Sequence, residues 1–354
     1  MNTSKIVIGL NYGDEGKGLT TSFLCSQSKN PIVARFNGGH QAGHTVSHEG
    51  KRHVFSSFGS GTLQNVPTYW SSYCTFSPTA FLNESEHLVA KSIEIPDFYL
   101  DPLCPITTPY DYFSNRENAK NVRHGTVGVG FGTTLKRHEN FYKLYAQDMF
   151  YPEVFKAKLK NIAKYYNMED FDIAPFLADV AIITTTGIVK LAGKEILLNY
   201  SDVIFEGAQG VLLDMDFGFF PNVTRSNTTS KNALEISPLR SNEIYYITRS
   251  YLTRHGAGFL PGEKELPLIN NELETNVSHD FQGNFRTAEL DLDLLNYSLK
   301  CDSNFSEGQN KNLVITCMDQ YPIDVEKLLE KLEIKFNKVF LSYGDSLDKI
   351  KQLK

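Results

Sequence analysis

Short runs of β-branched residues that end in glycine-rich or polar turns recur along the whole chain. "KIVIGL" leads into "NYGDEGKG", "PIVARF" leads into "NGGHQAGH", and "SDVIFEGAQG" and "KNLVITCMDQ" repeat the arrangement. Continuous apolar runs are typical of strands that are buried on both faces of a sheet. The stretches between them, such as "YPEVFKAKLKNIAKYYN", have helical periodicity with charged faces. The alternation predicts an α/β fold with a mainly parallel central sheet flanked by helices.

In such a sheet, ligands bind beyond the carboxyl ends of the strands, which is where the polar turns fall. Two further segments, at about 101–145 and 255–290, are rich in Gly, Thr, Asn and charged residues and have little periodicity. Long irregular segments in a compact domain are usually functional. We therefore interpret both segments as active-site loops.

The charge pattern and the cysteines exclude several classes of protein. The formal net charge is −6 and basic residues form no run longer than a pair, which argues against a nucleic-acid surface. No segment approaches the roughly 18 apolar residues of a membrane span, and the N-terminus does not have the pattern of a signal peptide. Five scattered cysteines without CxxC spacing predict neither a disulfide framework nor a zinc site. We expect a cytoplasmic protein with small-molecule partners, no nucleic acid and no membrane.

The first turn, "NYGDEGKG" (residues 11–18), has the parts of a phosphate-binding loop without the Walker A pattern. Gly18 stands where a Walker loop has its metal-binding Ser or Thr. The glycines let the backbone approach a ligand, a following helix would aim N–H groups at an anion, and Lys17 adds positive charge. Asp14 and Glu15 beside a phosphate imply a metal or a base. The alternative is a plain strand-to-helix turn whose acids favour the helix N-terminus.

The second turn, "RFNGGHQAGHTV" (residues 35–46), contains two histidines four positions apart. His40 and His44 would suggest a metal pair on a helix, but Gly39 and Gly43 make a regular helix here improbable. We favour one histidine that faces phosphates as an acid or charge stabiliser. A backbone carbonyl would then be available to a hard cation such as Mg²⁺.

The third turn, "FEGAQGVLLDMDFGFFPNVTRSNTTS" (residues 205–230), combines an amide with a cluster of hydroxyl groups. Gln209 can both donate to and accept from the lactam edge of a base. The Thr, Ser and Asn residues of 224–229 suit a phosphate or a sugar. A polar surface loop is the alternative for this segment taken alone.

Together the three turns resemble the adenylosuccinate synthetase family, whose pattern combines WGDEGKG, NGGHNAGHT, and FEGAQGTLLD followed by YPxVTSSNTT. Weaker matches extend the resemblance over nearly the whole chain, at "GTVGVGFG" (125–132), "TRHGAG" (253–258), "RTAELD" (286–291), "TCMD" (316–319) and "SYGD" (342–345). The resemblance implies a single P-loop-NTPase-like α/β domain over residues 1–354 with long active-site loops.

The resemblance also implies a reaction. The 6-oxygen of IMP would attack the γ-phosphate of GTP, and the amino group of L-aspartate would then displace the phosphoryl group to give adenylosuccinate. By position, Asp14 would take the N1 proton and bind Mg²⁺ together with the Gly43 carbonyl. His44 would stabilise the charge on the transferred group, and Lys17 would bind it. These roles agree with chemistry, because a lactam oxygen is a poor nucleophile until N1 loses its proton.

The resemblance further implies three sets of binding residues. The GTP set is Gly13, Glu15, Gly16, Lys17, Gly18, Gly43, His44, Thr45, Asp319, Ser342 and Gly344. The purine monophosphate set is Asn37, Gln41, Thr126, Arg137, Gln209, Leu213 and Thr224, and the amino-acid set is Gly283, Asn284 and Arg286. Members of the family commonly form homodimers in which an arginine reaches the neighbour's nucleotide, and Arg137 is the nearest candidate for that role.

The chain departs from the family pattern at several positions. Gln41 replaces an asparagine, Val127 replaces a threonine of the GTTG loop, and Cys317 replaces a lysine beside the guanine. The largest departure is the amino-acid loop, "SHDFQGNFRTAELD", where Arg286 remains from a cluster of arginines. Arg254 or His279 are candidates to compensate for the missing arginines.

These departures leave alternatives open. A sister branch in some phages makes the 2-amino analogue from dGMP and typically lacks the acid that matches Asp14, so its presence here favours IMP. Another 6-oxopurine nucleotide (dGMP or GMP), another amino acid, or ATP in place of GTP are the enzymatic alternatives. A non-catalytic nucleotide-binding paralogue is the alternative from a different class.

Overall fold

The computed structural model describes residues 3–121, 127–272, 274 and 284–353. Over these ranges the chain forms fourteen strands, which are β1 (Thr3–Gly9), β2 (Pro31–Arg35), β3 (His44–His48), β4 (Lys51–Phe55), β5 (Thr68–Trp70), β6 (Phe98–Leu100), β7 (Lys190–Leu191), β8 (Asp202–Gly210), β9 (Glu243–Arg249), β10 (Tyr251–His255), β11 (Phe285–Glu289), β12 (Asn310–Thr316), β13 (Lys338–Ser342) and β14 (Ile350–Gln352).

The same ranges contain nine α-helices, which are α1 (Lys17–Ser26), α2 (Pro78–Ala90), α3 (Pro109–Asn121), α4 (Phe131–Glu139), α5 (Pro152–Tyr166), α6 (Ala174–Thr186), α7 (Lys231–Ile236), α8 (Leu292–Ser303) and α9 (Val325–Lys331). Short 3₁₀ helices lie at Thr62–Gln64, Ala146–Phe150, Lys194–Asn199, Val211–Leu213 and Leu347–Lys349. No helix of the described ranges is long and apolar enough to cross a membrane.

Ten of the strands form one sheet in the order β14-β13-β12-β9-β1-β8-β2-β5-β6-β7. Its pairs are parallel except for β13 with β14, and the register between β1 and β8 places Ile6 opposite Phe205. Two antiparallel pairs, β3 with β4 and β10 with β11, stand apart from this sheet. The predicted α/β fold with a mainly parallel central sheet is confirmed.

The continuous apolar run of β1 reflects burial on both faces of the sheet. Ile6, Val7 and Ile8 are all fully buried. Because side chains alternate along a strand, Ile6 and Ile8 pack in one core layer with residues of α8 and α9, whereas Val7 packs in the opposite layer with residues of α1. A third cluster joins the aromatic side chains beside β5 and β6 to α2, α5 and α6.

The segment 101–145 is more regular than its composition predicts. It contains α3 and α4, so the expectation of a long loop is wrong there, although 122–126 lie outside the described residues. The two helices are joined by a buried ion pair between Asp111 and Arg137, which periodicity cannot reveal. In the second segment, 256–272 is irregular as predicted, but β10 ends and β11 begins within 255–290.

Candidate active site

Most of the predicted site residues converge on one cavity of about 1140 Å³ at the carboxyl edge of the central sheet. The strands β1, β8 and β12 end at this edge, and the β3–β4 hairpin covers part of it. Lining residues that the sequence predicted are Gly13, Asp14, Glu15, Gly16, Lys17, Gly18, Gln41, Gly43, His44, Thr45, Gln209, Leu213, Thr224, Asp319 and Gly344. Three distant turns of the sequence therefore form one site.

The first turn presents a helix N-terminus to the cavity. Gly13 and Gly16 both have φ of 88°, a conformation that glycine adopts without strain. Gly16 caps α1 without a side-chain hydrogen bond, and the helix begins at Lys17. Because no side chain caps the first turn, its N–H groups are placed to bind an anion.

The Lys17 ammonium group is buried at the start of α1. Burial lowers its pKa, while Glu15 and Asp14 nearby counteract that shift. A buried ammonium group at a helix N-terminus attracts phosphate strongly, because little solvent screens it.

The Glu15 side chain stabilises the turn formed by residues 11–18. Its Oε1 accepts hydrogen bonds from the backbone N–H of Asn11 at 2.8 Å and from Asn11 Nδ2 at 2.9 Å. Burial raises the pKa of this carboxyl to about 7. The side chain closes the turn, so the predicted contact of Glu15 with GTP can come from its main chain.

Asp14 differs from Glu15 in its environment. It adopts φ of 57°, its side chain is partly exposed, and it lines the cavity beside Lys17. The Nε–H of Arg249 donates to the Asp14 carbonyl oxygen and fixes the main chain, while Arg249 is itself paired with Glu274 at 2.8 Å. Asp14 is thus presented to the cavity as a carboxylate on a fixed turn.

His44 forms a buried pair with Glu206. Its Nδ1 lies 2.6 Å from Glu206 Oε1, and Glu206 also accepts hydrogen bonds from the backbone N–H and the hydroxyl of Ser60. Burial alone would raise the pKa of Glu206, but His44, Arg35 and Ser60 together hold it below its usual value. Burial lowers the pKa of His44, and Glu206 offsets part of that effect. A neutral imidazole therefore donates from Nδ1 and keeps Nε2 for a ligand.

Sequence reasoning missed Glu206. An acid at the end of the apolar run "DVIFEG" was the available signal, since a fully buried carboxylate needs partners.

The absence of a side chain at Gly18 lets the His44–Glu206 pair pack closely against α1. A Cβ at Gly18 would lie 2.8 Å from the His44 Cβ and 3.0 Å from the Ser60 hydroxyl, so glycine is required there.

The residues present fit a magnesium ion. The Asp14 carboxylate and the Gly43 main chain both line the cavity, and hard oxygen ligands are those that Mg²⁺ takes alongside substrate phosphates. The described residues contain no group of three or more His, Cys, Asp or Glu side chains that could hold a metal. The metal-pair interpretation of His40 and His44 gains no support, since His40 does not line the cavity and Nδ1 of His44 is bound to Glu206.

Gln41, Gln209, Leu213 and Thr224 of the purine monophosphate set line the cavity. Both polar atoms of the Gln41 amide are buried without a hydrogen-bond partner among the described residues, which leaves them for a ligand. Gln209 has φ of 65°, and the Thr224 N–H donates to the Leu213 carbonyl at 2.8 Å. Four of the seven residues of the predicted set thus lie together in the cavity.

Other members of that set are not in the cavity. The Asn37 amide is fully buried and bonds to the main chain of Ala208 and Asn227, so it holds the second and third turns together. The prediction for Arg137 is wrong, because its buried side chain bonds to Asp111, Ile106 and the Tyr142 carbonyl. Thr126 lies outside the described residues.

At the other end of the cavity, Asp319 and Gly344 are lining residues. Burial raises the pKa of Asp319. Ser342 is fully buried, and its hydroxyl donates to the Gly344 carbonyl at 2.9 Å, so it shapes the turn and does not line the cavity.

The predicted amino-acid set is only partly placed. Arg286 of β11 lies outside the cavity lining and is paired with Glu263 at 2.6 Å. Its partner in the β10–β11 register, Arg254, does line the cavity. Asn284 bonds through its carbonyl to the Gly256 N–H, and Gly283 and His279 fall outside the described residues.

The fold and this site define an α/β nucleotide-binding protein with an uncapped helix N-terminus, a carboxylate and an acid–histidine pair in one cavity. The chain belongs to the adenylosuccinate synthetase family of purine-nucleotide ligases, whose sequence model matches residues 6–321.

Two relatives with similar sequences support this membership. Adenylosuccinate synthetase of Colwellia psychrerythraea is 34% identical over 303 residues, which are 79% of this chain and 69% of that protein. Adenylosuccinate synthetase 1 of Pseudoalteromonas translucida is 31% identical over 285 residues, or 74% of this chain and 64% of that protein. The chain thus spans about two thirds of the length of these relatives.

Two solved structures share the fold. Fully ligated adenylosuccinate synthetase from Plasmodium falciparum superposes with a TM-score of 0.79 at 18% identity, covering 99% of both chains. Cyanophage S-2L succinoaminodeoxyadenylate synthetase, solved with dGMP and with dATP as an energy donor, superposes with a TM-score of 0.73 at 14% identity, covering 99% of this chain and 95% of that chain.

Proposed function

We propose that this chain is a GTP-dependent carbon–nitrogen ligase that joins IMP to L-aspartate and forms adenylosuccinate. One observation carries the proposal: Asp14, Lys17 and His44 line the same cavity. A protein that only binds a nucleotide has no use for a carboxylate beside a lysine and a helix N-terminus that attract phosphate. A base for the purine and a binding site for the phosphoryl group are both required when O6 is phosphorylated.

In the first step, the Asp14 carboxylate takes the proton from N1 of the purine, and the electron pair of the N1–H bond moves to O6. The O6 oxyanion attacks the γ-phosphate of GTP, which releases GDP. Lys17 and the N–H groups of the first turn of α1 bind the transferred phosphoryl oxygens. Mg²⁺ held by Asp14 and the Gly43 carbonyl would neutralise phosphate charge when bound.

His44 acts on the same phosphoryl group. In the free site its imidazole is neutral, because burial lowers its pKa. Phosphate anions would raise that pKa and protonate Nε2, while Glu206 holds the ring through Nδ1. The imidazolium would then donate to a phosphoryl oxygen as charge develops.

In the second step, the amino group of aspartate attacks C6, the C6–O bond breaks, and the departing phosphate takes up the proton that the nitrogen loses. Gln41 and Gln209 are the amides proposed to orient the purine. Asp319, with Gly344 beside it, is proposed to accept hydrogen bonds from N1–H and the 2-amino group of guanine, donors that adenine lacks. A preference for GTP over ATP follows from this arrangement.

The proposal includes a cytoplasmic homodimer. Since Arg137 is buried in its own subunit, another arginine would have to reach the neighbour's nucleotide. Sedimentation velocity with and without nucleotides tests the association. A monomer under all conditions would contradict this part of the proposal without affecting the ligase chemistry.

A matrix assay tests the function. The protein and Mg²⁺ are incubated with IMP, GMP or dGMP, with GTP or ATP, and with a panel of amino acids, and nucleoside diphosphate release and the N6-substituted product are measured. Turnover with IMP, GTP and aspartate is expected. Turnover only with dGMP or GMP would show that the acceptor is that nucleotide and not IMP. GTP binding without turnover in any combination would make it a non-catalytic paralogue.

A further inference from the structure

The cavity contains an arginine whose charge has no counter-ion in the described chain. Arg254 is 2% exposed and lines the cavity. Its guanidinium donates to three main-chain carbonyl groups, at 2.8 to 3.0 Å, which are those of Asn222, Ala257 and Phe259. Three of its five N–H groups are thereby used, and no carboxylate of the described ranges forms a salt bridge with it.

The neighbouring arginines differ from Arg254 in this respect. Arg225 is paired with Glu139, Arg249 with Glu274, and Arg286 with Glu263. Removing a cation from water without an anion beside it is unfavourable, and the nearby Arg286 adds further positive charge. Arg254 is therefore poised to bind an anionic ligand.

A second unsatisfied group lies against the same guanidinium. The Tyr12 side chain is 4% exposed and lines the cavity, and its buried hydroxyl has no hydrogen-bond partner among the described residues apart from the adjacent Arg254 guanidinium. The Cζ of Arg254 lies 4.4 Å from the centre of the Tyr12 ring. Burial raises the pKa of Tyr12, so its hydroxyl remains a donor at neutral pH. The family pattern has tryptophan at this position, which carries no hydroxyl.

We propose that Tyr12 and Arg254 together bind a carboxylate of the amino-acid co-substrate. This inference rests on the proposed function. The remaining N–H donors of Arg254 and the Tyr12 hydroxyl match the lone pairs and the single charge of a carboxylate, whereas a phosphate dianion would require more positive charge. Tyr12 is also two residues from Asp14, the proposed base at N1, so a group bound there lies near the purine carbon that the amino group attacks.

The pairing of Tyr12 with Arg254 also offers a binding site for a carboxylate in a chain whose amino-acid loop has lost most of the family's arginines. Arg286, which remains from the family's arginine cluster, is held by Glu263 and by the Gly258 carbonyl, outside the cavity lining. Its cross-strand partner Arg254 does line the cavity. In this chain the recognition of a carboxylate has thus moved from β11 to β10 and the first turn.

The test compares Tyr12→Phe and Arg254→Lys with the wild type in steady-state kinetics. Tyr12→Phe should raise the KM for aspartate about tenfold, the value of one hydrogen bond to a charged group, with the KM values for IMP and GTP unchanged. Arg254→Lys keeps the charge but loses the planar fork and should raise the same constant at least as much. Tyr297→Phe, which removes a hydroxyl outside the cavity lining, is the matched control and should behave as wild type.

Calorimetric titration with aspartate, succinate and inorganic phosphate distinguishes the source of the anion without turnover. Weaker binding of the two carboxylate ligands by Tyr12→Phe, with phosphate unaffected, supports the proposal. A change confined to the KM for IMP or to phosphate binding overturns it and assigns the pair to the acceptor phosphate, and unchanged constants overturn it as well. An inactive wild type that still binds aspartate through Tyr12 would refute the ligase function and leave this inference standing.

Discussion

Nδ1 of His44 lies 2.6 Å from Oε1 of Glu206, and both side chains are buried. The carboxylate fixes the orientation of the ring and places a negative charge beside it, near the positive charges of Arg35 and Lys17. Arg35, fully buried and stacked at 5.0 Å from the Trp70 ring centre, helps to keep Glu206 ionised. The pair is the kind of arrangement that orients a catalytic histidine through the nitrogen that does not face the ligand.

Glu206→Gln should reduce kcat about 100-fold with small changes in KM, because the neutral amide cannot stabilise the imidazolium that forms on phosphate binding. The pKa of His44, measured by NMR in the GTP complex, should fall in the variant. Ser60→Ala removes a neighbouring hydroxyl but keeps the charge and should have a much smaller effect. An unchanged kcat in Glu206→Gln would contradict the positioning role.

Asp14→Asn should reduce kcat about 1,000-fold, since the amide cannot take the N1 proton. Binding of GTP, followed by calorimetry, should persist, and circular dichroism should match the wild type. Asp216→Asn, at an exposed position, is the control and should retain full activity. Comparable activity of the two variants would remove Asp14 from the role of base.

Gly18→Ala tests how closely the hairpin of β3 and β4 packs on α1. Alanine favours a helix, but its methyl group would lie 2.8 Å from the His44 Cβ, so the free energy of unfolding should fall by about 1 to 3 kcal/mol. Gly132→Ala in α4 places its Cβ no closer than 3.8 Å to another atom and should raise stability by up to about 1 kcal/mol. Urea denaturation of both variants measures the difference. Equal effects would show that the packing at Gly18 is not close.

Glu15 should make stability fall as pH rises. Its pKa is about 7 in the folded protein against an ordinary value of 4.5, so the folded state binds the proton more tightly. The resulting stabilisation is complete below pH 4.5 and is lost between pH 4.5 and 7, by about 3 kcal/mol.

Glu15→Gln keeps the acceptor for Asn11 and should abolish that loss. Urea unfolding at pH 5 and pH 8 should therefore show a variant that is more stable than wild type at pH 8 and nearly equal at pH 5. The same pH dependence in both proteins would rule out Glu15 as its source.

Arg137→Ala should lower the free energy of unfolding by about 3 to 5 kcal/mol, because it leaves the buried Asp111 without its cation. Arg225→Ala breaks an exposed pair with Glu139 and should change stability by less than about 1 kcal/mol. Thermal and urea denaturation measure both. A small effect at Arg137 would mean that Asp111 finds other partners.

Contiguous motifs made much of the site predictable. Gly13 to Gly18 are neighbours in the chain, and a strand followed by this turn and a helix has few possible geometries. The pairing of His44 with Glu206 joins residues 162 positions apart and depends on which strands are adjacent in the sheet. Arg137 was misassigned for the same reason, because its partner Asp111 lies on a different helix. Local sequence patterns contain no information about contacts between residues on different strands or helices.

The position of β8 in the sheet has a consequence for the growing chain. β8 lies between β1 and β2, yet it is made after both, and Asp202 pairs with Thr3 across 199 positions. At about 5 to 20 residues per second, ribosomal synthesis leaves β1 without this neighbour for about 10 to 40 seconds. During that interval β1 and β2 must not pair with each other, since β8 could then enter only after they separated. The order of the strands thus requires that β1 and β2 stay apart until β8 has been synthesised. Because β8 supplies part of the site, the cavity can form only after this requirement has been met.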